Sequence, residues 1–372
     1  MKVDLNSVDR ENLMVHPHQV AGETVFLIQP QHIGAKWLPD NLHFRSSVWN
    51  ESGDLISASF PKFFNNGEAP QLYPDPQNHF ESWKAIEKID GSTLIASKYK
   101  GHLIVRTRGT VDASVLQLNG NEIELLKNKY PKFFDLGQNE TADYSLLAEW
   151  TSPNNQIVIR YNEPDLYLIG KIYHADYRLE SQDGLDELAK ALGVKRPQVF
   201  SFSSLQEMVD VVKEFKDKEG VCLYFNAGQN IVKIKGNWYL SLHRLKSELS
   251  SLGKVLDLYL ERGQPSYQEF YDYVQGIFDF ELAEFVRPNM TVICEASKEV
   301  NVVSNGMKDF INNLRSEQLV MNTPFKDARK DAAMKIFAAY GKERAGFCFK
   351  ILDNRELNKE DLKKMYSQIF EK

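Results

Sequence analysis

Residues Ala85–Thr110 read AIEKIDGSTLIASKYKGHLIVRTRGT, and the lysine near the start of this stretch decides how the chain is understood. Lys88 stands two residues before Asp90-Gly91, a dipeptide common in turns, so the plainest reading is a strand end entering a turn with a solvated lysine. The sharper reading makes Lys88 a nucleophile. The five-residue pattern K-x-D-G-S, with four positions fixed, arises by chance in fewer than about 1% of chains this long at average composition. An amine attacks only when neutral, so its pKa must be lowered by burial or by neighbouring cations. Attack on phosphorus also needs positive charge on the departing and equatorial oxygens. The companions that would supply these conditions have to be found elsewhere in the chain.

Outward from this stretch, β-type runs separated by Gly, Asn, Asp and Pro turns extend from about Val25 to His243. TLIASKY, HLIVRTR, NQIVIRY, LYLIGKIY, VCLYF and NIVKIKGNWYLSL carry β-branched and aromatic residues at strand-like spacing. SLQEMVDVVKEFKDKEG reads as an amphipathic helix with Leu205, Met208, Val212 and Phe215 on one face. After about Leu245 the texture becomes helical, as in SYQEFYDYVQGIFDFELAEFV and DARKDAAMKIFAAYGKERAG. The fold class expected is therefore α+β, mainly antiparallel sheets with flanking helices, followed by an all-helical domain. The expected division is residues 1–245 and 246–372.

The companions occur in order. FRSSVW contains Arg45, and SFPKFFNNGE contains Lys62 and Phe64. RTRGT, twenty residues after Lys88, contains Arg108. AEWTSPNNQIVIRY contributes Glu149, KEGVCLYF contributes Glu219, and IVKIKGNWYLSLH contributes Lys233, Lys235 and Tyr239. Over roughly Arg45 to His243 this set resembles the ATP-dependent RNA ligases of the T-even phage RNA ligase 1 type, within the covalent nucleotidyltransferase superfamily. Arg45 is followed by Ser where that family usually has Gly, and the arginine many relatives carry before the proline of SFPKFFN is missing.

The resemblance implies an adenylyltransferase domain in which Lys88 takes AMP from ATP as a phosphoramidate and releases pyrophosphate. The AMP passes to an RNA 5′-phosphate, and a 3′-hydroxyl then displaces it and seals the strand. By the same resemblance Asp90 and Gly91 shape the lysine turn, and Arg108 contacts ribose or phosphate. Glu149 serves the sugar or a metal ion, Glu219 is a metal-linked carboxylate, Lys233 and Lys235 face the phosphates, and Arg45, Lys62, Phe64 and Tyr239 complete the ATP site. Mg²⁺, or Mn²⁺ in its place, accompanies ATP. The implied partners are single-stranded RNA ends or a cleaved tRNA, with an end-healing kinase/phosphatase, and the implied setting is the cytoplasm of a phage-infected host. The rivals are a DNA ligase or capping guanylyltransferase sharing the lysine chemistry, and a non-catalytic RNA-binding protein descended from a ligase.

Each companion has a bland alternative. Lys233 and Lys235, like Arg106 and Arg108, alternate as the wet face of a strand does. Glu149 and Glu219 can be surface charges, and Phe63 and Phe64 core. Order and spacing weigh against all of these being true together.

Composition narrows the rest. A chain of 372 residues with 42% hydrophobic and 26% charged residues has room for two domains and a buried core. A net charge of −6 leaves any nucleic-acid contact to a local basic groove. Cys222, Cys294 and Cys348 form no CxxC pair, which argues against a disulfide framework or cysteine zinc site and fits a reducing cytoplasm. No apolar window reaches membrane-span length, the N-terminus lacks a signal-peptide core, and no phosphate-loop or dinucleotide glycine motif occurs. His16 and His18 in VHPHQ read as a surface turn, and the KNKYPKFF and KEFKDKEG clusters as solvated faces.

Overall fold

The computed structural model describes residues 1–32, 34–115, 122–249, 251–277, 280–321 and 325–371. It divides into two compact units, Met1–His243 and Arg244–Lys372. Three sheets organise the described residues of the first unit. The first is an antiparallel meander of Leu13–Val20, Glu23–Pro30, Ser47–Asn50 and Leu55–Ala58. The second runs Asp165–Tyr173, Tyr144–Thr151, Ser92–Tyr99, His102–Arg106, also antiparallel. The third runs Val199–Phe200, Lys84–Lys88, Gly220–Phe225, Asn230–Lys235, Phe64–Asn65, with only the last pair parallel.

One core joins the sheets, with Trp49, Leu55 and Phe60 meeting Ile95, Leu147 and Ile172, and Ile86, Tyr224 and Ile231. Strand Tyr144–Thr151 runs through the middle of its sheet and is buried at every position but the first, so that even Ser145, Glu149 and Thr151 lie inside. The helix Leu205–Lys213 starts where the Ser204 side chain accepts from the Glu207 N–H. It seats Met208 and Val212 against Leu223 and Val232 of the third sheet, each burial contributing about 2 kcal/mol. The second unit contains helices Leu252–Glu261, Tyr267–Ile277, Phe280–Met321, Phe325–Leu352 and Lys359–Phe370, with its own core around Val255, Phe270, Met290, Ile336 and Tyr366. Residues 278 and 279 of the expected helical run from Ser266 lie outside the described residues. No helix is long and apolar enough among the described residues to cross a membrane.

Three expectations are corrected, and one bland alternative falls. NQIVIRY is not a strand; a single 3₁₀ turn, Pro153–Asn155, opens an irregular loop. The segment after Lys235 is not a strand extension, because helix Asn237–Glu248 begins two residues later. His16 and His18 do not form a turn but lie in edge strand Leu13–Val20, where an edge position tolerates Pro17. Arg106 is not solvated, being fully buried.

Candidate active site

Sheet register builds the centre of the site. Gly220 is paired with Lys88 on one side and with Lys235 on the other, so the residue before it, Glu219, sits between the two lysines. Glu219 Oε2 accepts from Lys88 Nζ at 2.7 Å, and Oε1 is 2.8 Å from Lys235 Nζ. The Glu219 side chain is only 3% exposed, and two ammonium groups offset the cost of burying it. Gly220 has φ +151°, and a Cβ there would stand 2.1 Å from the Ile234 carbonyl oxygen, so only glycine allows this close crossing.

The turn after Lys88 is clamped. Asp90 is buried, and its Oδ2 accepts from the N–H groups of Val158 and Ile159, each at 2.7 Å. Its Oδ1 accepts from the Tyr239 hydroxyl at 2.7 Å, and its own N–H donates to the Tyr161 hydroxyl at 3.2 Å. NQIVIRY therefore forms no sheet because two of its backbone donors serve Asp90. A Cβ on Gly91 would lie 2.4 Å from the Trp150 carbonyl oxygen, so glycine lets the turn press on the strand carrying Glu149.

These elements open onto a cleft of about 460 Å³. Lys88, Asp90, Gly91, Glu149, Glu219, Lys233, Lys235, Tyr239, Arg45 and Arg108 all line it. Lys62 and Phe64 do not; Phe63 does, and Arg45 lies over its ring with Cζ 4.8 Å from the centroid. Phe64 is buried against Tyr73, and Lys62 Nζ stands 5.0 Å over the Phe64 ring. Sequence reading missed Cys222, Tyr224 and Ile169 as apolar wall and His243 at the rim. The period-two alternation from Gly220 signalled Cys222 and Tyr224. A register shift at Leu168/Gly170 frees Ile169 from the ladder, for which the sequence holds no signal.

The cleft carries charges of both signs. Arg45, Lys233 and Arg108 line it, and Lys62 lies near enough to act on Arg45 and Lys233. Burial, then Arg45, Lys235 and Lys62, pushes Lys233 down to about 8, and burial with Arg108 nearby brings Arg45 down to about 10. Such a cluster is built to receive an anion. Burial raises Glu149 to about 7, despite Lys88, with Glu219 adding to the rise. At Lys88 burial opposes the charge, but Glu219 and, less strongly, Cys222 and Glu149 outweigh it, so the ammonium is held above its ordinary pKa and not below it as expected of a nucleophile. Nothing among the described residues groups three or more His, Cys, Asp or Glu as a metal cage. Glu149 and Glu219 still fit a hard cation of the magnesium kind, which takes one or two carboxylates and completes its shell with phosphate oxygens and water.

One consequence is measurable. Lys233 loses its charge as pH rises through about 8, while an anion bound beside it favours the charged form. The affinity of a Lys88→Ala protein for ATP is expected to fall about tenfold from pH 7 to pH 9. Titration calorimetry checks this, and the same decline in a Lys233→Met background would refute the assignment.

Residues 44–243 match a family model described as RNA ligase. The bifunctional polynucleotide kinase/RNA ligase of Autographa californica nuclear polyhedrosis virus is 26% identical over 297 residues, covering 73% of this chain and 40% of that protein. The RNA ligase of Rhodothermus phage RM378 is 26% identical over 269 residues, covering 56% of this chain and 60% of that one. The chain thus spans between about two fifths and three fifths of the length of these curated relatives. Among solved structures, an archaeal ATP-dependent RNA ligase aligns with a TM-score of 0.43 and 14% identity, covering 78% of this chain and 76% of that one. Naegleria gruberi RNA ligase with PPi aligns with a TM-score of 0.37 and 16% identity, covering 51% and 60%.

Proposed function

This chain belongs to the RNA ligase family, and from that membership we propose that it joins RNA 5′-phosphate and 3′-hydroxyl ends with ATP through a covalent lysyl-AMP. The observation that carries the reading is the pair of bonds from one buried carboxylate, Glu219, to Lys88 and Lys235, made beside a turn locked by Asp90 in a cleft that Arg45, Arg108 and Lys233 also line.

In the first step Lys88 passes a proton to the Glu219 carboxylate that accepts its bond at 2.7 Å, and directs the freed Nζ lone pair at the α-phosphorus of ATP. The N–P bond forms, the bond from α-phosphorus to the bridging oxygen breaks, and pyrophosphate leaves with that electron pair. Arg45, Arg108, Lys233 and Lys235 neutralise the phosphate oxygens, and the Asp90 clamp holds the nucleophile on line. A divalent cation, held by Glu149 and Glu219, would supply charge neutralisation at the phosphates. The same residues then face an RNA 5′-phosphate, whose oxygen takes the AMP and returns the electron pair to Lys88 Nζ. A 3′-hydroxyl finally attacks the activated 5′-phosphate, losing its proton as AMP departs.

Single-stranded ends, including those of a tRNA broken in a loop, are the substrates this chemistry suits, since an open cleft can accept a splayed end. Ends lacking the 5′-phosphate would need a kinase first. Free cysteines at Cys222, Cys294 and Cys348, together with the need for ATP, support action in the cytoplasm.

The direct test is incubation with α-labelled ATP and Mg²⁺ followed by denaturing electrophoresis. A labelled protein band is expected, and its absence under any divalent cation would overturn the reading. All candidate residues fall in Met1–His243, whose hydrophobic clusters are separate from that of the helical unit. We therefore assign residues 1–245 the adenylation chemistry and 246–372 the selection of structured RNA. A chain ended at Leu245 is expected to label itself while losing its preference for nicked tRNA over an unstructured oligonucleotide. An unchanged ratio would leave the helical unit no part in selection.

A further inference from the structure

We propose that Arg106, which does not reach the cleft, is a positioning residue that uses Ser46 to hold Arg45 and Arg108 towards one set of phosphates. The inference rests on the ATP-binding reading above. Arg106 ends strand His102–Arg106 and is fully buried, yet no carboxylate accepts any of its bonds. A buried cation without an acid is costly, and burial pushes this guanidinium down to about 9. An apolar side chain would satisfy a strand packed between sheets more cheaply, so the placement calls for another reason.

The destinations of its bonds supply one. Nε donates to Ser57 Oγ at 2.7 Å, and Nη2 to the carbonyls of Ser46 and Ser57 at 3.1 and 3.2 Å. Nη1 donates to Ser46 Oγ at 2.8 Å and to the Thr107 carbonyl at 3.1 Å. Ser46 follows Arg45, and Thr107 precedes Arg108. Ser46 Oγ in turn donates to the Arg108 carbonyl at 2.7 Å. One planar fork thus ties together the backbones beside two cleft arginines that arise 63 positions apart in the chain.

The tie has something to oppose. Arg45 and Arg108 repel, since the charge of Arg108 helps lower the pKa of Arg45. Phe63 beneath Arg45 supplies only a ring face. Further bonds brace the same segment without touching Arg108: the Tyr177 hydroxyl donates to the His43 and Ser59 carbonyls, and the Ser59 N–H to the Ser46 carbonyl. Arg106 and Ser46 alone among these described contacts span both arginines. They preorganise the phosphate site before nucleotide arrives, and preorganisation is read as affinity.

The test compares full-length wild type, Ser46→Ala, Arg106→Lys and Ser97→Ala for ATP dissociation constant by titration calorimetry, ATP KM in self-adenylation, and thermal midpoint. Ser97 Oγ donates to Ser57 Oγ and bonds Ser145 Oγ within the same buried chain of hydroxyls but makes no bond to Arg106, so it reports the loss of interior hydrogen bonds alone. Ser46→Ala and Arg106→Lys are expected to weaken ATP binding and raise KM by about tenfold, the scale at which a small displacement of positioned groups is felt. Ser97→Ala should stay within about twofold while lowering the melt comparably. Unchanged ATP affinity in Ser46→Ala, or an equal loss in Ser97→Ala, overturns the proposal, and Ser46→Ala decides alone if Arg106→Lys fails to fold. Because affinity is measured directly, a wild type that binds ATP without labelling would defeat the ligase reading and still leave the positioning role decided.

Discussion

Lys88→Ala is expected to yield a folded protein that takes no label at all from α-labelled ATP. The loss should be total because the methyl group of alanine has no electron pair to offer phosphorus. Lys88→Arg should fail equally, since a guanidinium remains protonated and cannot attack. The fold should survive because Glu219 keeps Lys235 as a partner at 2.8 Å, so removing Lys88 does not strand a buried carboxylate. Asp90 keeps its four bonding partners without help from the lysine side chain. Denaturing electrophoresis reads the label and a thermal melt reads the fold. Full labelling in either variant would remove Lys88 from the chemistry. A protein that labels weakly and melts far below wild type would point to a structural role for the lysine instead.

The residues that were easy to read are those where local chemistry and sheet period agree. Asp-Gly after a β-type run fixes the turn below Lys88, and the alternation in NIVKIK sets Lys233 and Lys235 on the cleft face of one strand. Where tertiary bonds override local propensity, the reading failed. NQIVIRY has strand-forming residues, yet Asp90 captures the N–H groups of Val158 and Ile159 that a ladder would need. NWYLSLH has the aromatic texture of a strand, but helix Asn237–Glu248 places Tyr239 and His243 one turn apart, both lining the cleft. Phe63 and Phe64 are successive residues at the start of the short strand Phe64–Asn65, so they point oppositely. Which of them meets the cleft depends on parallel pairing of Phe64 with Val232, a contact no local pattern announces. Arg106 alternates with Arg108 as a solvated face would, and only the packing of two sheets reveals that it is interior.

The two lysines of the same strand should respond differently to removal, and that difference separates charge from nucleophile control. Lys233→Ala and Lys235→Ala are each expected to slow adenylation from ATP by about 100-fold or more, the scale of losing one preorganised group at developing charge. Lys235 also shares Glu219 with Lys88, so its removal leaves the carboxylate to hold the nucleophile's proton alone. Lys233 is set among cations, and its loss should be confined to steps that carry the triphosphate. Supplied with RNA already bearing a 5′-adenylate, which needs no pyrophosphate release, Lys233→Ala should recover most of its sealing rate. Stability should move the other way. Burial and neighbouring cations lower the folded pKa of Lys233 to about 8 from its ordinary 10.5, so the unfolded chain binds the proton more tightly. The resulting penalty is full below pH 8 and fades as pH rises towards 10.5. At pH 7 Lys233→Ala should therefore melt above wild type even as it loses activity, the pattern of a site that gives up stability for function. Single-turnover labelling, sealing of adenylated RNA and a melt at pH 7 test all three parts. Wild-type labelling in both variants would return these lysines to the role of a solvated strand face, and a lowered melt in Lys233→Ala would contradict the electrostatic account of why it is there.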